Sequence, residues 1–170
     1  MAGAEADAGA VITSISAYLD YFEGVRRRTL TFIEATPPTL VDWSPAPGEY
    51  TCGDIVRHLG SVQLMNYRLV AGSPLKYPGH DSSLGADWPA ATAYLAACHA
   101  EATALLKTLP DSVLAEKRLG ATGKEASAWR YLLGTVEHEV HHRSQLANYM
   151  TWLGNEPPQL FGVFMEDLPR

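Results

Sequence analysis

The sequence predicts an all-α protein, a four-helix bundle with a long crossover connection. Four segments of about twenty residues repeat their apolar side chains at steps of three and four, the period of an amphipathic helix. Turn-forming prolines and glycines separate these segments. The chain has 170 residues, 46% of them hydrophobic and 19% charged, which is a globular composition that can bury a core without disulfides.

The first two helices are bounded by clear signals in the chain. The first is predicted over about 11–35 and ends before Pro37, because proline cannot continue a helix. The second is predicted to begin at Thr51, since Thr51 and Asp54 match a capping box with Asp in place of Glu. It stops at Gly72.

The third and fourth helices are separated by a segment whose pattern fits two conformations. The third is predicted over about 87–109, and the fourth over about 127–153 with Gly154 after its end. Residues 111–126 fit either a short strand or a turn of helix. The loop 73–86 is long enough for a crossover, so simple up-down topology is not assumed.

Composition narrows the cellular setting and the partners. We expect a disordered tail over 1–10 and one domain over 11–170. A formal charge of −6 argues against nucleic acid as a partner. The sequence has no window of eighteen uninterrupted apolar residues, so we expect no membrane-spanning helix. The start of the chain does not resemble a signal peptide, and Cys52 and Cys98 fit a reducing compartment. These features predict a cytoplasmic protein.

The fourth helix carries polar side chains where a core-facing stripe should be apolar. At about 100° per residue one stripe collects eight residues. Buried polar groups need partners, so this conflict between local pattern and core marks a functional region. The stripe consists of Ala128, Tyr131, Thr135, His138, His142, Gln145, Tyr149 and Trp152.

Histidines in this stripe predict a metal site. His138 and His142 are one turn apart, so their rings can converge on one point, and neutral imidazole is the commonest transition-metal ligand. His58, in the apolar stripe of the second helix, is the best third ligand. The alternative is that all three are hydrogen-bonded core histidines.

The remaining histidines have no spacing that requires a role. His141 is expected beside the pair or partly exposed, His80 lies in a loop, and His99 lies on the flank of the third helix. His99 or a glutamate could close the site as a fourth ligand. The basic run Arg26–Arg28 is expected to be a solvated face.

Residues 138–142 also spell HExxH, in which two histidines bind zinc and Glu139 acts as a general base. Against a zinc protease, Gln145 and Asn148 stand where the extended motif would have further residues. A second alternative is a non-catalytic, metal-stabilised dimeric stress protein.

The chain resembles the DinB/YfiT-like family of metal-binding four-helix bundles over about 11–160. The resemblance rests on a proline-rich turn after Trp43, an isolated histidine early in the second helix, and HxxxHRxQ in the fourth. It departs from the family pattern at Ser144, where glycine is usual. The resemblance implies a long crossover, frequent homodimers, and zinc or nickel on residues matching His58, His138 and His142.

The predicted chemistry follows from a ligand set of three neutral imidazoles, which leaves the metal a strong Lewis acid. Relatives with known activity include thiol-dependent transferases, so a low-molecular-weight thiol is a possible cosubstrate. We therefore predict a metal-dependent transferase or hydrolase that activates thiol or water toward a small-molecule electrophile. Gln145 and Tyr149, with Glu139 as a further candidate, are expected to support the histidine rings or the substrate. No catalytic residue is assigned.

Overall fold

The computed structural model describes residues 9–163 and 165–169 and is a four-helix bundle. Its helices are α1 (Ile15–Ala35), α2 (Cys52–Val70), α3 (Trp88–Lys107) and α4 (Ala128–Trp152). Within the described residues, no helix is both long and apolar enough to cross a bilayer.

The helix ends follow the local sequence signals. At the start of α2, the Thr51 hydroxyl accepts from the Asp54 amide and the Asp54 carboxylate accepts from the Thr51 amide, as predicted. The side chain of Asp87 caps α3. The first helix begins later than predicted because Ser14 caps it, while Asp111 accepts a second bond from the amide of Ile15 at 2.7 Å.

The segment before α4 contains both predicted alternatives. A 3-10 turn over Asp111–Ala115 is followed by β1 (Lys117–Leu119), which pairs antiparallel with β2 (Glu125–Ser127). A further 3-10 turn near the end covers Met165–Asp167. Of the predicted tail, residues 1–8 lie outside the described part of the chain, whereas Ala10 packs against the core.

Helices α2 and α3 are parallel neighbours, which confirms a long crossover between them. The contacts Ser61–Tyr94 and Gln63–His99 rise together in sequence number. A chain that leaves the end of α2 must therefore return the length of the bundle before α3 begins. The segment 71–87 makes this return.

Close packing of α2 on α3 depends on a glycine. A Cβ at Gly60 would lie 3.1 Å from Cα of Leu95 and 3.2 Å from Cβ of Cys98. The missing side chain thus allows the two backbones to approach.

The apolar core consists of two clusters with polar residues between them. One cluster surrounds Tyr67 and Leu132, and the other surrounds Ile55 and Leu146. Helix α4 antiparallel to α2 contributes to both, and its central turns carry the histidines. The polar middle predicted for α4 is therefore real and lies inside the bundle.

Candidate metal centre

Three histidines from two helices meet at one point. His58 comes from α2, and His138 and His142 come from successive turns of α4. One ring nitrogen of each lies within 4.8 Å of the others, and the Nε2 atoms of His58 and His138 are 2.9 Å apart. The convergence predicted from helix spacing is confirmed. His142 is buried, while His58 and His138 are half-buried.

The ring of His142 is oriented by a hydrogen-bond chain that ends on a backbone carbonyl. The Tyr149 hydroxyl donates to the carbonyl of Tyr50 at 3.1 Å and accepts from the Gln145 amide at 2.8 Å. The Gln145 carbonyl oxygen therefore faces Nδ1 of His142, at 2.9 Å, and accepts a hydrogen bond from its N–H. Because a carbonyl can only accept, the chain leaves Nε2 of His142 with its lone pair free.

The Nδ1 side of the His58 ring has a different hydrogen-bond partner, which comes from the crossover segment. The Tyr77 hydroxyl lies 2.5 Å from Nδ1 of His58 and 2.8 Å from Nδ1 of His80. Nε2 of His58 again points toward the other ligand candidates. Both hydrogen-bonded rings thus direct the same type of nitrogen into the cluster.

The ring of Tyr50 forms one wall of the cluster. Its centroid lies 4.5 Å from that of His80, 5.1 Å from that of His58 and 6.1 Å from that of His142, to which it is nearly parallel. Tyr50 precedes the cap residue of α2, so the capping box also positions this wall.

The ligand candidates are held in their neutral form. Burial, with the neighbouring histidines, lowers the pKa of His58 to about 4 and that of His138 to about 3. Burial also lowers the pKa of His142, against a raising effect of Gln145. All three rings are therefore unprotonated at neutral pH, the form that binds a metal.

The arrangement fits a divalent transition metal. Two neutral rings place Nε2 atoms against each other, which requires either a proton between them or a cation. Among the described residues the cluster contains three histidines without a carboxylate or thiolate. A three-histidine set of this kind is typical of zinc sites that keep a coordination position open.

Glu139 follows His138 in sequence but belongs to another part of the interior. Thr29 and Arg26 of α1 and Arg143 of its own helix lower the pKa of its carboxyl, while Glu23 of α1 raises it. Burial is the largest effect and raises this pKa to about 7. The expectation that Glu139 supports the histidine rings is not supported, and its placement toward α1 weakens the zinc-protease alternative.

The other histidines stay outside the ligand cluster. Nδ1 of His99 is hydrogen-bonded to the side-chain amide of Gln63 at 3.1 Å, and its Nε2 lies 3.4 Å from the carboxylate of Glu23. It therefore does not close the site. His141 is exposed, with its ring centroid 4.8 Å from that of His142.

Sequence reasoning missed Tyr50, Tyr77 and His80, because none of them shares a helical period with the ligand candidates. It also misjudged Arg26, whose side chain is only 12% exposed. The burial of Arg26 has one signal in the sequence. At about 100° per residue, three consecutive arginines point in widely different directions, so all three cannot lie on one solvent-facing side of a helix.

Comparison with proteins of known structure supports the fold. The chain resembles a DinB-like protein, YjoA, from Bacillus subtilis, with TM-score 0.67 and 17% identity, over 85% of this chain and 96% of that one. A DinB-like protein from Bacillus cereus gives TM-score 0.71 and 16% identity, over 89% and 99%. YfiT from Bacillus subtilis, described as a probable metal-dependent hydrolase with an unusual four-helix bundle topology, gives TM-score 0.70 and 19% identity, over 89% and 94%.

Comparison with curated protein sequences finds no match. By contrast, the sequence model of the DinB superfamily matches residues 21–146, which include all three clustered histidines, all of α2 and most of α4. Motif, fold and family match agree, and the chain belongs to the DinB superfamily.

Proposed function

We propose that this protein is a metal-dependent enzyme that uses His58, His138 and His142 to hold zinc or nickel and transfers water or a small thiol to a small electrophile. The observation that carries the proposal is the cluster of three neutral imidazoles, in which one ring nitrogen of each lies within 4.8 Å of the others and the Nε2 atoms of His58 and His138 face each other. A cation held by neutral ligands keeps its full charge and lowers the pKa of a bound water or thiol toward neutrality.

Neither cysteine of the chain is accessible as a nucleophile, which favours a nucleophile that comes from solution. Cys52 and Cys98 are the two cysteines of the sequence, and both are buried. Burial raises the pKa of Cys52 to about 11 and also raises that of Cys98. Water and low-molecular-weight thiols remain as the two candidates. The description of the structurally similar YfiT as a probable metal-dependent hydrolase supports water.

A cavity that shares two lining residues with the hydrogen-bond chain behind His142 suits a small substrate. Its volume is about 390 Å³, within the range of small-molecule sites. Gln145 and Tyr149, which orient His142, also line it, together with the exposed ring of Trp152. A comparable cavity beside Val11 and Tyr21, at the start of α1, is lined by no histidine, cysteine or carboxylate.

The test combines metal content with activity. Purified wild-type protein should contain about one equivalent of zinc or nickel, and His142→Ala should lose it. The loaded wild type should then hydrolyse a member of an ester and lactone panel, or deplete an electrophile in the presence of a thiol.

Absence of metal from both proteins, even after metal is added back, would mean that the histidines are core residues. Metal without activity in either panel would favour the non-catalytic, metal-stabilised alternative.

A further inference from the structure

We propose that His80 selects the tautomer of His58 through the hydroxyl of Tyr77, and so presets this ligand for the metal. The inference rests on the proposed metal site, since the tautomer of His58 matters because Nε2 must be free to bind. It assigns a positioning role to two residues of the crossover segment.

The argument starts from the single proton of the Tyr77 hydroxyl. This oxygen lies between Nδ1 of His58 and Nδ1 of His80, at 2.5 Å and 2.8 Å. It can donate to one ring only, and it must accept from the other. When Tyr77 donates to His80, His58 carries its proton on Nδ1 and its Nε2 lone pair faces the cluster. When Tyr77 donates to His58, the proton of His58 occupies Nε2 and blocks metal binding.

His142 and His58 therefore differ in the group that sets their tautomer. The chain behind His142 ends on the carbonyl of Tyr50, which can only accept. The chain behind His58 ends on an imidazole, which accepts at Nδ1 only in one of its own tautomers. His80 is the residue that decides the direction of this second chain.

A buried arginine holds His80 in place for this role. Arg57 is 2% exposed, and its Nε donates to the carbonyl of His80 at 2.7 Å while Nη1 donates to the carbonyl of Gly85, also at 2.7 Å. Gly85 has φ 154°, and a Cβ there would lie 2.7 Å from the backbone of Ala90. Because Arg57 immediately precedes His58 on α2, one turn of helix carries both the ligand and the anchor of the loop that orients it.

The bonds from Arg57 hold the crossover loop in place even though Tyr77 is partly exposed to solvent. Tyr77 is 40% exposed, so water competes for its hydroxyl. Bonds from Arg57 to the backbone at two positions fix the loop independently of that hydroxyl. Substitutions of the Tyr77 or His80 side chain should therefore leave the path of the loop intact.

The first readout is the tautomer of each histidine in metal-free protein, from nitrogen-15 shifts of the imidazole rings. In the wild type we expect the proton of His58 on Nδ1. The contact between Nε2 of His58 and Nε2 of His138 then takes its proton from His138. Zinc should leave the tautomer of His58 unchanged and move the proton of His138 to Nδ1.

Variants at three positions test whether the hydrogen-bond acceptor of His80, rather than the size of its side chain, sets the tautomer of His58. His80→Leu removes the acceptor, so His58 should shift toward the tautomer protonated on Nε2. His80→Gln restores a carbonyl acceptor and should rescue the wild-type tautomer. Tyr77→Phe removes the link and should leave His58 in a mixture. His141→Leu, which alters an exposed histidine without contact to Tyr77, is the matched control and should leave the His58 shifts unchanged.

The second readout is zinc affinity, measured by competition with a chromophoric chelator. Loss of a supporting hydrogen bond to a ligand costs roughly 10–100-fold in affinity, and this range is expected for His80→Leu and Tyr77→Phe. His80→Gln should bind close to wild type.

A wild-type His58 protonated on Nε2, or an unchanged tautomer in His80→Leu, would overturn the inference even if zinc binds. A wild type that binds no metal would instead overturn the proposed function and the ligand role of His58. The nitrogen-15 shifts and the metal content thus report on the two claims separately.

Discussion

Two faces of α4, one residue apart in sequence, handle polar groups in opposite ways. His138 and His142 face α2 and form a neutral cluster with His58 that keeps some exposure to solvent. Glu139 and Arg143 are both buried, and the groups acting on Glu139 come largely from α1. The first face presents the neutral nitrogen lone pairs of imidazole rings, and the second carries the ionisable groups Glu139 and Arg143.

The difference shows how one motif serves two purposes. In a zinc protease the glutamate of HExxH works beside the metal. Here rotation by about 100° per residue sends Glu139 into another layer of the bundle. Burial without a solvent path leaves this carboxyl as a structural group, whereas the histidines can reach a ligand. Three predictions test the separation, the largest expected effect first.

Replacing one residue on each face should give opposite results for metal. His138→Ala removes a ligand and should weaken zinc binding by more than the roughly 100-fold that loss of a supporting bond costs. Glu139→Gln should leave zinc affinity unchanged, because the carboxyl does not belong to the cluster. Chelator competition at neutral pH measures both. A Glu139→Gln protein that keeps zinc but loses a peptidase activity of the wild type would restore the protease interpretation.

The carboxyl of Glu139 should make the protein less stable as pH rises from about 4.5 to about 7. Burial raises the pKa of Glu139 from 4.5 to about 7, so between these values the unfolded chain releases a proton that the folded chain keeps. Stability therefore falls as pH rises through this window, by about 3 kcal/mol when the loss is complete above pH 7. Glu139→Gln should be more stable than wild type by about this amount at pH 8 and equal near pH 4.5.

Urea unfolding of metal-free protein at the two pH values measures the effect. Glu137→Gln changes an exposed residue of the same helix and should follow the wild type at both. Parallel pH profiles for wild type and Glu139→Gln would show that the carboxyl titrates normally and is not desolvated.

Gln145 and His141 both lie beside His142, but only the loss of Gln145 should weaken zinc binding. Gln145→Leu removes the acceptor for Nδ1 of His142 and should lower zinc affinity roughly 10–100-fold. His141→Ala alters a ring beside His142 that makes no described bond to it, and affinity should stay at the wild-type value. Equal affinities for the two variants would mean that the hydrogen bond does not orient the ligand.

Much of this organisation could be predicted from the sequence because it is local. The period of apolar residues predicts all four helices, Thr51 and Asp54 predict the start of α2, and the spacing of His138 and His142 predicts their convergence. His58 was predicted from its place on an apolar stripe. In each case the information lies within a few turns of one helix.

The rest depends on how distant segments pack. Tyr77 and His80 reach the cluster because α2 and α3 are parallel and the crossover returns past His58. No periodicity encodes that path. Gln145 and Tyr149 were predicted as supporting residues from their position on α4, but their common anchor, the carbonyl of Tyr50, comes from a different segment and is visible only in three dimensions.

The capping residue Asp54 has a further consequence for the dynamics of the site. One carboxylate oxygen accepts from the Thr51 amide at 3.0 Å, and the other accepts from Arg57 at 2.8 Å. Fraying of the first turn of α2 would break both bonds and release the arginine that holds the crossover at His80. Amide hydrogens of this turn and of the crossover should therefore exchange as one cooperative unit. A local unfolding equilibrium at a helix end would thus set how often the cluster opens to solvent.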